Sequence, residues 1–190
     1  MAHRRLAAFT AALSLTGCAG QVQTSYGDMT ALYGRSVVQH AGAAGAFPLV
    51  VHGAPFPDVA ARPAAEAVAR RMRLPGWHPP VPFALAPVAG APSGDWRLVL
   101  VFNSARPVSD ADACGDLRSV PLVPPGAEVR VKAAFCTGGE MISEASGSAP
   151  SGGPDSPQFQ HLLDQIAATV FPERNRLIDP DPPFLLRRRG

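Results

Sequence analysis

Residues 128–136 read EVRVKAAFC, and beyond Gly138-Gly139 the chain continues at 140–146 as EMISEAS. In the first stretch Val129, Val131, Ala133 and Phe135 fall on one side, with Arg130 and Lys132 on the other. That period-two alternation marks a strand with one face covered. The second stretch alternates more loosely, and the paired glycines between them make 128–146 a β-hairpin. Upstream, 95–103 reads DWRLVLVFN, where Leu98 to Phe102 are continuously apolar, as in a strand central in a sheet. Residues 47–53 (FPLVVHG) make a further strand, bounded by Gly45 and by Ala54-Pro55-Phe56-Pro57, and 35–40 (RSVVQH) a shorter one.

Two segments carry helical signals instead. PAAEAVARRMR at 63–73 opens on a proline suited to the first helical turn and sets Val68 and Met72 on one face. Ser156 precedes Pro157 as an N-cap should, and Phe159, Leu162, Leu163, Ile166 and Val170 form an apolar stripe that Pro172 stops. The order β-β-α-β-β-β-α predicts an α+β domain. Its sheet is expected to have about four or five strands, mainly antiparallel, with both helices on one face. The 63–73 helix, joining strands 47–53 and 95–102, would make one parallel crossover. Between Pro75 and Pro92 a proline-rich connection runs over the surface.

The 190 residues suffice for one ordinary domain. With 46% hydrophobic and 17% charged residues the chain can bury a core. Lys+Arg 17 against Asp+Glu 15 leaves +2, too weak a field for nucleic acid as the main partner.

The N-terminus reads MAHRRLAAFTAALSLTGC: two arginines, an uncharged apolar run from Leu6 to Leu15, then Leu15-Thr16-Gly17-Cys18. The run is too short to span a bilayer, which takes about 20 residues, and has the layout of an export signal. The final tetrapeptide resembles the lipobox of bacterial lipoproteins. The resemblance implies cleavage before Cys18, lipidation of its thiol, and a bilayer as the first partner through that acylated residue. Residue 19 is Ala rather than Asp, which points toward the outer membrane. The chain then divides into a lipoprotein signal peptide (1–17), a lipidated tether (18–34), a single α+β domain facing the periplasm (35–172) and a Pro/Arg-rich tail (173–190). Loss of Arg4 and Arg5 would leave the mature chain formally neutral, 15 basic against 15 acidic residues.

Cys114 and Cys136 remain. An even count in an exported chain predicts a disulfide, which across 22 residues would contribute roughly 3 kcal/mol in the chain-entropy model. No phosphate-cradling loop, zinc-protease helix, C-x-x-C or nucleophile elbow is found, so no catalytic residue and no cofactor is expected. Asp110, Asp112 and Asp116 with Gly115 mimic the start of a calcium loop, but Cys114 and Pro121 occupy ligand positions and no metal site is expected. His52, at the end of an apolar strand, and Trp77, in the proline-rich connection, are the candidate ligand or partner contacts. Arg70, Arg71 and Arg73, and Arg187 to Arg189, are basic clusters that could touch anionic lipid headgroups, although a solvated helix face and a loose tail are the favoured readings of them.

These features predict a membrane-anchored envelope lipoprotein, a non-enzymatic module that binds another envelope protein or supports an assembly. The alternatives are a small-ligand carrier, with 75–92 as a lid over the sheet, and a small envelope hydrolase built around His52 and Asp58; a deep pocket lined by Trp77, Phe83 and His52 would favour either of these.

Overall fold

The computed structural model describes residues 21–91 and 95–179. Cys18 with the lipobox, and the tail from 180 onward, lie outside the described residues. The elements are β1 (Gln23–Met29), α1 (Arg35–Ala41), β2 (Phe47–His52), α2 (Ala61–Arg71), β3 (Phe83–Leu85), β4 (Arg97–Phe102), α3 (Asp110–Cys114), β5 (Glu128–Thr137), β6 (Glu140–Pro150) and α4 (Pro157–Val170).

One six-stranded sheet runs in the order β1-β6-β5-β4-β2-β3. The β1–β6, β6–β5 and β5–β4 pairs are antiparallel, whereas β4–β2 and β2–β3 are parallel. The α+β class holds, with a mixed sheet larger than the expected one. The 128–146 hairpin is present and extends to Pro150, turning at Gly138 with φ of +54°, a left-handed conformation that glycine adopts without strain. Strand β2 likewise ends on Gly53, φ +83°, where an added Cβ would lie 2.4 Å from the Phe102 carbonyl oxygen.

Alternation sorts the core. Leu98, Leu100 and Phe102 of β4 and Val129, Val131, Ala133 and Phe135 of β5 face α1, α2 and α4. Val99 and Val101, with Ala134 and Cys136, face α3 instead. The two expected helices thus share one face, joined there by α1. All five residues of the 159–170 stripe are fully buried. At the C-terminal end of α4 three side chains satisfy three successive carbonyls that a helix end leaves open. Ser143 Oγ donates to Val170 O (2.6 Å), Trp77 Nε1 to Phe171 O (2.8 Å) and Tyr33 Oη to Pro172 O (2.7 Å).

Several segments differ from the expectation. RSVVQH, read as a strand on its adjacent valines, is α1: Val38 and Ala41, three apart, are buried while Val37 only leans on the core. The tether contains β1, whose Gln23 to Tyr26 pair with Ser148 to Ala145. As an edge strand exposed almost throughout, β1 carries no apolar alternation to read. The Asp110 loop contains α3, capped reciprocally by Ser109 and Asp112. The tail, too, begins later than residue 173, because Asn175 is buried and donates to Thr30 O (2.9 Å) and Tyr33 O (3.0 Å).

The opposite sheet edge, β3, is three residues long and follows Pro80 and Pro82. Short, proline-flanked edges resist pairing with other strands.

Candidate functional site

Three helices cover one face of the sheet, but on the other α3 covers only part, over β4, β5 and the Met141–Glu144 end of β6. By alternation β5 turns Arg130 and Lys132 onto this second face. Register sets Arg130 opposite Ser148, Lys132 opposite Ser146, and Ser146 opposite Ser25 of β1. The result is a groove of about 460 Å³, floored by these polar residues and Gln23 and walled by Ser104, Pro107 and Val108. An antiparallel sheet commonly leaves one face solvated. This face differs in being concave, with a wall on the α3 side and hydroxyls along its floor.

Beside the groove lies a charged cluster that unites four elements. Lys132 Nζ pairs with Glu144, and both side chains are largely shielded, at 16% and 10% exposure. Glu144 Oε1 also accepts from the backbone N–H of Asp28 in the irregular stretch of β1 (3.2 Å). A Cβ at Gly27 would sit 2.3 Å from that oxygen, so glycine there leaves room for the Glu144 side chain.

Asp110, at the start of α3, shares a hydrogen bond with Glu144. That bond, then burial and the Glu144 charge, push its carboxyl up from 3.8 to about 6. Burial opposes ionisation of Glu144, but the hydrogen bonds from Asp110 and Lys132 outweigh it and hold Glu144 below its usual range. Asp112 is held low by its hydrogen bonds with Arg106 and Ser109, and Asp116 by those with Arg118. These aspartates are committed to capping and pairing. Among the described residues, no group of three or more His, Cys, Asp or Glu is placed to hold a metal ion.

The cluster makes stability depend on pH. Between about 4 and about 6 the folded chain keeps the Asp110 proton that the unfolded chain has released. Stability therefore falls as pH rises through that window, and this group changes nothing above it. Glu144 acts in the opposite sense, its contribution being lost as pH falls below its ordinary 4.5. Asp110→Asn should abolish the fall between about 4 and about 6, read as a urea midpoint that no longer declines. An unchanged slope in that variant would remove Asp110 as its source.

The two residues singled out from sequence are not brought together. The length of strand β2, about 17 Å, lies between them. His52 is half-buried at its C-terminal end, Nε2 3.3 Å from Val120 O. Trp77 sits beyond its N-terminal end, where Phe47 packs on Phe171 and the indole donates to Phe171 O. Arg35 donates to Trp77 O, and the neighbouring His78 is buried with Nε2 3.4 Å from Tyr33 Oη.

Burial lowers the His78 imidazole and raises the Tyr33 phenol. Trp77 and His78 therefore strap the proline-rich connection onto the end of α4. Phe83 is buried against Phe47 (5.2 Å between ring centroids), so the pocket of Trp77, Phe83 and His52 that would favour a carrier or a hydrolase is not found among the described residues. Asp58 lies exposed on the loop before α2. Of the basic cluster on α2, Arg71 pairs with Asp155, and Arg73 donates to Met72 O (2.8 Å).

Cys114 and Cys136 form the predicted disulfide, with Cα atoms 5.6 Å apart, joining α3 to β5. Sequence reading missed the groove and the Asp110–Glu144–Lys132 cluster. Their one legible trace is Lys132, the sole lysine of the chain, placed among the residues of a strand's solvent side.

No helix among the described residues is long and apolar enough to cross a membrane. No family model matches the chain and no curated protein matches it. Among solved structures, a PelC dodecamer from Paraburkholderia phytofirmans is similar at 16% identity and a TM-score of 0.38, over 80% of this chain and 98% of that one. A single-substitution variant of that PelC gives 15% identity and the same TM-score over the same shares. Likenesses of this degree assign this chain to no family and carry no function to it.

Proposed function

We propose that the chain is an envelope lipoprotein, anchored through acylated Cys18, whose domain binds another envelope protein without catalysis. The observation that carries the binding reading is the open groove over β1, β6 and β5, floored by serines and Arg130. A concave strip of hydroxyls and backbone along an edge suits an extended polypeptide, which hydrogen-bonds along its length. A carrier would instead need a pocket closing over most of its ligand. The lipobox and the Cys114–Cys136 disulfide, a bond that persists in oxidising compartments, support the location.

The test uses the full chain in its own cells. A photoreactive side chain at Ser148, in the groove, should capture one polypeptide of defined mass, while the same group at Arg62, on the solvent side of α2, should not. Identical capture at both positions would overturn the binding reading. Cys18→Ser should leave the chain soluble, unprocessed or secreted. A Cys18→Ser chain that is processed and retained normally would overturn the lipoprotein reading.

A further inference from the structure

Among the described residues five large apolar side chains are exposed, and four of them gather at one place: Tyr26 (72%), Leu32 (59%), Leu177 (63%) and Ile178 (63%). Asn175 gathers them. Its amide bonds both ends of the Thr30–Tyr33 turn that carries Leu32, and its own side-chain oxygen accepts from Leu177 N (3.0 Å). Arg176 stacks over Tyr26, its guanidinium carbon 5.3 Å from the ring centroid, beside a groove of about 250 Å³ that includes Met29, Trp77 and Arg174.

We propose that this face lies on an anionic phospholipid bilayer, its apolar side chains entering the headgroup region and arginines engaging phosphates. The proposal rests on the lipoprotein reading for the presence of a membrane. Cys18 precedes β1 by so little chain that, fully extended, it reaches about 17 Å, which brings this sheet edge to the bilayer. Tyr26 is on that edge strand, only three residues into it.

Beyond Asp179 the sequence continues through Phe184-Leu185-Leu186-Arg187-Arg188-Arg189. From 173 to 190 five arginines face three acids, Glu173, Asp179 and Asp181. That excess of +2 stands against −2 for the rest of a neutral mature chain. A basic, apolar segment on an otherwise acidic chain orients it toward negative lipid, at about fivefold in affinity per arginine near the surface. The acyl anchor retains the protein, and the patch fixes which way the serine groove points.

The experiment reconstitutes the full, detergent-extracted chain into phosphatidylethanolamine vesicles with and without phosphatidylglycerol. Both carry a lipid with a photoreactive group near the headgroup, and labelled peptides are mapped by mass. Labelling is expected at Tyr26, Leu32 and Leu177–Ile178. It should be several-fold stronger with phosphatidylglycerol and several-fold weaker in Arg174→Gln/Arg176→Gln and in Leu177→Ser/Ile178→Ser. Labelling confined to the Cys18 peptide overturns the docked face and leaves the lipoprotein reading standing. A chain without acyl mass on Cys18 fails the lipoprotein reading. Mixed with the same vesicles, that chain supports the docked face if the four apolar positions are labelled and overturns it if they are not.

Discussion

Phe47→Ala should destabilise the domain by about 3–5 kcal/mol, the cost of truncating a buried phenylalanine that its surroundings cannot close over. Phe47 is fully buried at the start of β2. Its ring packs against Phe83 of β3 (5.2 Å between centroids), Phe135 of β5 (5.5 Å) and Phe171 just past α4 (5.3 Å). Phe135 and Phe171 also touch each other (5.3 Å), so the void would open where strands and helix end meet, with little freedom to collapse. Against a usual total of about 5–15 kcal/mol, the loss consumes much of the available stability. Urea unfolding of the full chain reads it, with Phe47→Leu expected to lose less because leucine fills part of the volume. A Phe47→Ala midpoint near that of the unaltered protein would mean that the aromatic cluster is not what joins α4 to the sheet.

What the sequence made legible follows from where each element sits. Strands β4 and β5 and helix α4 bury continuous or periodic apolar residues in the main core, and their patterns are set by that burial alone. The α2 helix and the disulfide were legible for similarly local reasons, alanine-rich periodicity and an even pair of cysteines. Strand β1 was not, because an edge strand held by its backbone to β6 exposes nearly every side chain and needs no apolar period. The valines of α1 suit a strand in isolation, and only Tyr33 and the packing of Val38 and Ala41 make a helix there. Strand β3 is three residues inside a proline-rich run, shorter than any periodicity can resolve. The candidate site was legible least. Its groove draws on β1, β6 and β5 through register, and its charged cluster joins residues 28, 110, 132 and 144, which no sequence window contains. Trp77 attracted notice as an aromatic among prolines, yet its indole satisfies a helix-end carbonyl.

Removing the disulfide, as Cys114→Ala/Cys136→Ala or by reductant, should cost about 3 kcal/mol from the loop entropy it withholds from the unfolded chain. The two sulfurs lie in a second core cluster with Val99, Val101 and Ala134, on the sheet face opposite Phe47. Helix α3 is only five residues, too short to hold itself on that face by helix propensity. Its capping box and this bond to β5 fix it there. Weakening α3 also separates Asp110 from Glu144, so the fall in stability between about pH 4 and about 6 should diminish in the same variant. A lowered midpoint with an unchanged pH slope would show that α3 stays docked without its covalent tie. Equal midpoints with and without reductant would show that the bond contributes nothing. Because Phe47 and the disulfide lie in separate core clusters on opposite faces of the sheet, their losses should add to within about 0.5 kcal/mol. A larger coupling between them would mean that the sheet transmits strain from one face to the other, and so that docking at the serine groove is felt by the aromatic core beneath α4.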